Sequence, residues 1–180
     1  MALKNSIDSF GSISILLHWL MAVLIMGLII IGFLMTSLAP GPQKAQVYEL
    51  HKAIGFIVLL MTMFRWYWML SNVRPAPLPT WSHGELSMAF VSKWLLMLLM
   101  LMMSMSGALY TLASGYDINV FGLLTISGFA EPSIMIKDFT SGVHEIGAYV
   151  IAGLVILHIV AVLKHHLIRK DNTLNRMLGH

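Results

Sequence analysis

Four histidines, His18, His51, His144 and His158, stand within or at the edge of long apolar runs. Ionisable side chains are rare in such runs, and where they occur they usually do chemistry. Two of them bound the stretch HEIGAYVIAGLVILH, residues 144–158, and lie fourteen positions apart. Fourteen helical residues rise about 21 Å and bring the second imidazole to within roughly 40° of the first, so both face one seam. An imidazole can ligate a metal or pass a proton. Gly147, Ala148, Ala152 and Gly153 between them are small enough to leave room for something flat beside the backbone.

The surrounding composition sets where that chemistry happens. The chain has 180 residues, 58% hydrophobic and 11% charged, against roughly 25% charged in soluble domains. That composition predicts an all-α integral membrane four-helix bundle forming a single domain over residues 1–180. A helical crossing needs about 20 mainly apolar residues, and the segments 13–38, 52–70, 88–112 and 143–168 qualify. Breaks such as APGPQ and VRPAPLPTW separate them. Transmembrane strands are excluded, because the runs are long and continuous rather than alternating. The first run exceeds a signal-peptide core in length and contains His18, so it is read as a retained span.

Lysines and arginines orient the bundle. Lys4, Arg65, Arg74, Lys93, Lys164, Arg169, Lys170 and Arg176 flank one side, and only Lys44, Lys52 and Lys137 the other. Both termini are therefore expected in the cytoplasm. The net charge of +3 reflects this asymmetry, and nothing resembles a nucleic-acid groove. The connection from Ser114 to Gly142 is expected to lie partly along the outer membrane surface as a short amphipathic segment.

This topology sorts the histidines by depth. His51 and His144 fall at the outer level, and His158 and His18 toward the inner half. Zinc would need four ligands close together, and the two levels are too far apart for that. A haem iron takes one axial ligand on each face, so two helices can each supply one imidazole. Two pairs at two levels predict two haems. With no cysteine in the chain, disulfides, iron–sulfur clusters and covalent haem attachment are excluded, and the haems would be b-type. The competing class is a haem-free histidine relay moving protons or a metal ion.

Other residues carry two readings each. Arg65, in FRWYW, is either a partner for a haem propionate or an anionic substrate, or an interfacial anchor. Lys52 could similarly meet an outer propionate. His165 and His166 lie beyond His158 at the inner interface, where a quinone would need a hydrogen-bond partner and proton source; the alternative is a basic tail facing lipid headgroups. His83 and His180 are read as solvated. The methionines of MLLMLMMSMSG, residues 97–107, point all around their helix and are read as packing. No P-loop, G-x-S-x-G, G-x-G-x-x-G or H-E-x-x-H occurs.

Taken in order, ISILLHW, YELHKAIG, FTSGVHEIGAYV and GLVILHIVAVLKHHLIRKDNTLNRM resemble the prokaryotic cytochrome b561 family over the whole chain. The resemblance implies a dihaem membrane cytochrome b exchanging electrons with ubiquinone or another quinone. It implies axial ligands at His18, His51, His144 and His158, paired as the topology pairs them, and a quinone-linked role for His165. One branch of the family oxidises superoxide and reduces ubiquinone. This chain departs from that branch in LPTWSHGE, where lysines are expected, and at Lys93, where a histidine is common. A second function therefore stands beside the first, a cytochrome subunit fed by a periplasmic hydrogenase or dehydrogenase.

Overall fold

The computed structural model describes residues 2–179. His180 lies outside the described residues. Four long helices dominate: α1 Ser12–Ser37, α2 Pro42–Ser71, α3 His83–Ala113 and α4 Ile134–Leu163. All four are long and apolar enough to cross a membrane. Large apolar side chains such as Leu16, Val23, Leu60, Met88 and Ile156 are exposed on them. Helices that are apolar all round belong in lipid rather than water.

Local sequence explains where the helices begin. Pro42 opens α2 at a first-turn position, where its missing N–H would have no partner anyway. Ser82 and Glu85 form a reciprocal capping box at the start of α3, and the Ser133 hydroxyl accepts from Ile136 N–H at 3.4 Å to start α4. Two helices start well before the apolar runs expected from composition. α2 takes in PQKAQVYEL ahead of His51, and α4 takes in IMIKDFTSG ahead of Val143.

The connection before α4 also differs from expectation. Residues Ile118–Val120 (β1) and Leu124–Ile126 (β2) pair as an antiparallel hairpin, and SIMIKDF enters α4 instead of lying as a surface helix. The local reason is the turn: Asn119 Oδ1 accepts from Gly122 N–H at 2.7 Å, and Phe121 and Gly122 both take positive φ, 53° and 76°. Positive φ at both central positions is the type I′ pattern, and the turn is closed by Leu123 N–H donating to Val120 O at 3.0 Å.

Consecutive helices pack side by side, α1 on α2, α2 on α3, and α4 most extensively on α3. The α3–α4 contact is reciprocal. Gly147 of α4 receives Met103, whose sulfur a Cβ there would overlap, and Gly107 of α3 receives the His144 ring. The small residue at 147, expected to clear space for a cofactor, is therefore occupied by a side chain of α3. Toward α1 and α2, α4 reaches across through long side chains, such as Tyr149 with Phe33 at 5.3 Å between ring centroids.

Both termini meet at one end of the bundle. The Trp19 indole donates to Met177 O at 2.7 Å, and Arg176 donates to Asp8 O at 3.0 Å and Ala76 O at 2.9 Å. After α4 the helix widens into a π turn, Lys164–Arg169. Lys170, in the left-handed conformation, reverses the chain, and the short helix α5, Thr173–Leu178, follows.

Candidate functional site

Histidines from three helices meet in two opposed pairs. His51 of α2 faces His144 of α4 with ring centroids 6.2 Å apart, and His18 of α1 faces His158 of α4 at 6.3 Å. A bond from a first-row metal to an imidazole nitrogen is about 2 Å, and that nitrogen lies a little over an ångström from its ring centre. One ion between two opposed imidazoles therefore separates their centroids by about 6 Å, which is the spacing of both pairs. No group of three or more metal-ligating side chains converges among the described residues. The arrangement suits two-ligand axial coordination and not a tetrahedral ion.

At the end away from the termini, the His144 ring is held through its Nδ1. Its Nδ1–H donates to Met103 O at 3.0 Å, with the Ser106 hydroxyl 3.3 Å from the same nitrogen. A ring that gives its Nδ1 proton to a carbonyl keeps the Nε2 lone pair for a metal. Gly107 lets the ring in: a Cβ there would lie 2.8 Å from His144 Cε1. On α1, Gly32 does the same for His51, with Cε1 at 3.3 Å from where a Cβ would sit. The two histidines line a small, partly open cleft, which Ile118 of β1 helps to close. Lys52 lines the same cleft, with its ammonium on the Asp117 carbonyl at 3.0 Å and on the Glu49 carboxylate at 2.5 Å.

At the end carrying the termini, Arg65 sits beside the second pair. Its guanidinium lies 3.4 Å from His18 Nδ1 and 3.8 Å from Met21 Sδ. Among the described residues it has no carboxylate partner within ion-pair distance. An unpaired cation away from solvent is costly unless something anionic accompanies it.

Beyond that pair, the π turn presents His165. Its Nδ1 is 2.6 Å from Asp171 Oδ2, with the two side chains only 12% and 8% exposed. Asp171 in turn accepts from Thr173 N–H at 2.9 Å and the Thr173 hydroxyl at 2.5 Å. Burial would raise the Asp171 carboxyl, but the hydrogen bonds from Thr173 and His165 outweigh it and hold it down at about 2. Arg169 ties the turn to the start of α3, donating to Thr80 O and Glu85, each at 3.2 Å. That tie brings the Trp81 ring to 5.1 Å from the His165 ring. His166 and His83 are exposed.

Asp171, Trp81, Gly32, Gly107 and the Met103 carbonyl were not singled out in the sequence. Only the spacing of Asp171 and Thr173, which suits a side chain capping the start of α5, carried a local signal.

The chain matches the family model described as prokaryotic cytochrome b561 over residues 9–180. It is 33% identical to cytochrome b561 homolog 2 of Escherichia coli (strain K12) over 182 residues, covering 99% of this chain and 96% of that protein. It is 26% identical to the probable superoxide oxidase CybB of Yersinia pestis over 172 residues, covering 94% and 95% of the two chains. Cytochrome b561 homolog 1 of Escherichia coli (strain K12) is 30% identical over 107 residues, covering 59% of this chain and 58% of that protein. With four membrane-length helices and opposed histidines inside them, the chain belongs to the prokaryotic cytochrome b561 family, membrane-integral electron-transport cytochromes that bind b-type haem.

Proposed function

We propose that the chain carries electrons through a bacterial inner membrane from a donor on the outer side to the quinone pool. Two haems b would be held, one by His51 and His144 and one by His18 and His158, and the termini would be cytoplasmic. The observation that carries this reading is the presence of two imidazole pairs, each spaced for a single axially ligated ion, at two levels of α4. When bound, the haems supply one-electron redox chemistry.

The protein residues position and tune those groups. His144 offers Nε2 because Met103 O takes its other proton. Arg65 would leave the His18 ring for a propionate, supplying the anion its surroundings lack. Lys52, already held by Glu49 and Asp117, lies close enough to the outer cleft to meet a second propionate. His165, at the inner end, would serve the quinone.

Superoxide is the donor favoured by the relative named as a probable superoxide oxidase. A periplasmic redox protein is the second donor, favoured by the apolar hairpin tip at the outer end, where Phe121 and Leu123 are 57% and 89% exposed. The test is a dithionite-reduced absorption spectrum of the purified protein with haem stoichiometry, followed by stopped-flow mixing with superoxide. Two b-type haems per chain and haem reduction by superoxide are expected. Absence of haem bands overturns the whole reading, and haem that superoxide does not reduce transfers the donor role to a protein partner.

A further inference from the structure

At the end of the bundle that carries the termini, two cations share one aromatic ring. The Lys93 ammonium lies 5.4 Å from the centre of the Trp94 ring, and the Arg74 guanidinium lies 5.7 Å from it. Lys93 also stands over Phe90 at 6.0 Å. The two charges reach the ring from different elements, Lys93 from α3 and Arg74 from the connection that follows α2. Trp94 fixes where they meet. It packs against Trp66 of α2 at 5.4 Å between ring centroids, and the Trp66 indole donates to Met97 O of α3 at 3.4 Å. The ring is thereby wedged in the seam between α2 and α3.

The chain gives these cations no counter-charge. Among the described residues neither has a carboxylate within ion-pair distance. The Trp94 indole N–H is shielded from water and also lacks an acceptor. Three donors therefore gather about one ring with nothing of the protein's own to receive them. The ring face attracts each cation, but it does not relieve the repulsion between them, which an anion would. Both cationic side chains are exposed, and so are large apolar neighbours, Met88, Phe90 and Val91 on α3 and Leu70 and Val73 before Arg74. A free inorganic anion makes no use of that apolar surround. A phospholipid brings a phosphate with acyl chains attached.

We propose that Arg74 and Lys93, gathered at Trp94, bind the phosphodiester head group of an anionic phospholipid, whose acyl chains lie along the exposed face of α3. Basic pockets between membrane helices suit such head groups. The guanidinium offers parallel donors to two phosphate oxygens, and the ammonium offers a compact charge that any oxygen can meet. A lipid of net negative charge is preferred to a zwitterionic one, because the choline of the latter brings a third cation to the pair. Seated there, the lipid joins the connection after α2 to the body of α3. The site stands independently of the haem and quinone chemistry of the bundle.

The test uses the purified, haem-loaded full chain in detergent, with bound molecules counted by native mass spectrometry. It is titrated with dioleoylphosphatidylglycerol, dioleoylphosphatidylcholine or inorganic phosphate. One phosphatidylglycerol is expected to bind about tenfold or more tightly than phosphatidylcholine, each cation contributing about fivefold. Arg74→Gln and Lys93→Gln should each lower that preference by about fivefold, and the double variant should bind the two lipids alike. Arg74→Lys, which keeps the charge, should retain most of it. Lys170→Gln removes another exposed cation and should leave the preference unchanged. Equal losses in Lys170→Gln and Lys93→Gln would mean a diffuse surface charge and overturn the site, as would an unchanged preference in the double variant. Displacement of phosphatidylglycerol by inorganic phosphate at matched ionic strength would assign the cations to a free anion and overturn the lipid. The visible spectrum of each variant reports its fold. Should Lys93→Gln lose its haem, Arg74→Gln, which lies outside the helices, decides.

Discussion

The Nδ1 of His144 lies 3.0 Å from the main-chain oxygen of Met103, and this contact determines which ring nitrogen remains free. The carbonyl belongs to α3 and the ring to α4, so the His51–His144 pair depends on how closely those helices approach. Gly107 sets that approach, since a Cβ there would lie 2.8 Å from His144 Cε1 and 3.1 Å from Nδ1. Gly107→Ala is expected to displace the ring and lower haem occupancy at the His51–His144 pair only. Haem content of the purified variant should fall from about two toward about one per chain, with the remaining haem spectrally intact.

The pairing of histidines makes its own forecast. His51→Ala should abolish the outer site and His18→Ala the inner one, each removing about one haem in two. His83, exposed in the first turn of α3, should be replaceable by alanine with no loss. The check is haem per chain combined with redox titration, in which each ligand variant loses a different component. Loss of the same component in both would overturn the pairing.

Arg65 offers an electrostatic prediction. A cation beside a redox centre favours the reduced state, which carries one positive charge fewer. Arg65→Gln should therefore lower the midpoint potential of the inner haem, and Arg65→Lys should lower it less. A one-electron couple moves about 59 mV for each tenfold change in equilibrium constant, and a shift of this order is expected. Potentiometric titration of the visible bands measures it, and the outer component should stay in place.

Asp171 predicts how the tail responds to acid. Its carboxyl, held at about 2 against an ordinary 3.8, favours the folded state above pH 4 because the ionised form is the one bonded to Thr173 and His165. As pH falls from about 4 through about 2, that contribution is lost. Hydrogen exchange in the peptide spanning residues 164–178 should accelerate over this window in the wild-type protein. In Asp171→Asn the step should disappear, with exchange already faster at neutral pH.

The hairpin tip can be tested by stability. Phe121 holds a φ of 53°, a region that disfavours a side chain of its kind. Asn is the preferred residue at that turn position, so Phe121→Asn should stabilise the hairpin by about 0.5–1 kcal/mol. Thermal unfolding reads the gain. A concurrent loss of electron input from a periplasmic partner would show what the aromatic tip is for.

How far the sequence could be read follows from which interactions are local. The four spans and the two histidine levels were legible because hydropathy and helical rise depend only on neighbours along the chain. The pairing of His51 with His144 was legible from the alternation of helix directions alone. The partners of those rings were not, because Met103 O, Gly107 and Gly32 become relevant only when particular helix faces meet. Gly147 illustrates the limit: smallness was visible in the sequence, whereas what fills the space, here Met103, depends on the rotation of α3. The contact between His165 and Asp171 needs the π turn and the left-handed Lys170, neither of which has a strong sequence signature. The connection from Ser114 to Gly142 was misread because an apolar stretch broken by Gly can become a hairpin as readily as a surface helix.

A consequence of using α4 for both pairs is mechanical. His144 and His158 ride on the same continuous helix, so sliding or rotating α4 would detune both sites together. α1 and α2 each carry one histidine of a pair and can shift without disturbing the other. Damage to α4 should therefore disturb both histidine pairs, and damage to either of the other two helices should disturb one pair and leave the other in place. An engineer wishing to retune a single centre would alter α1 or α2 and hold α4 fixed as the common rail.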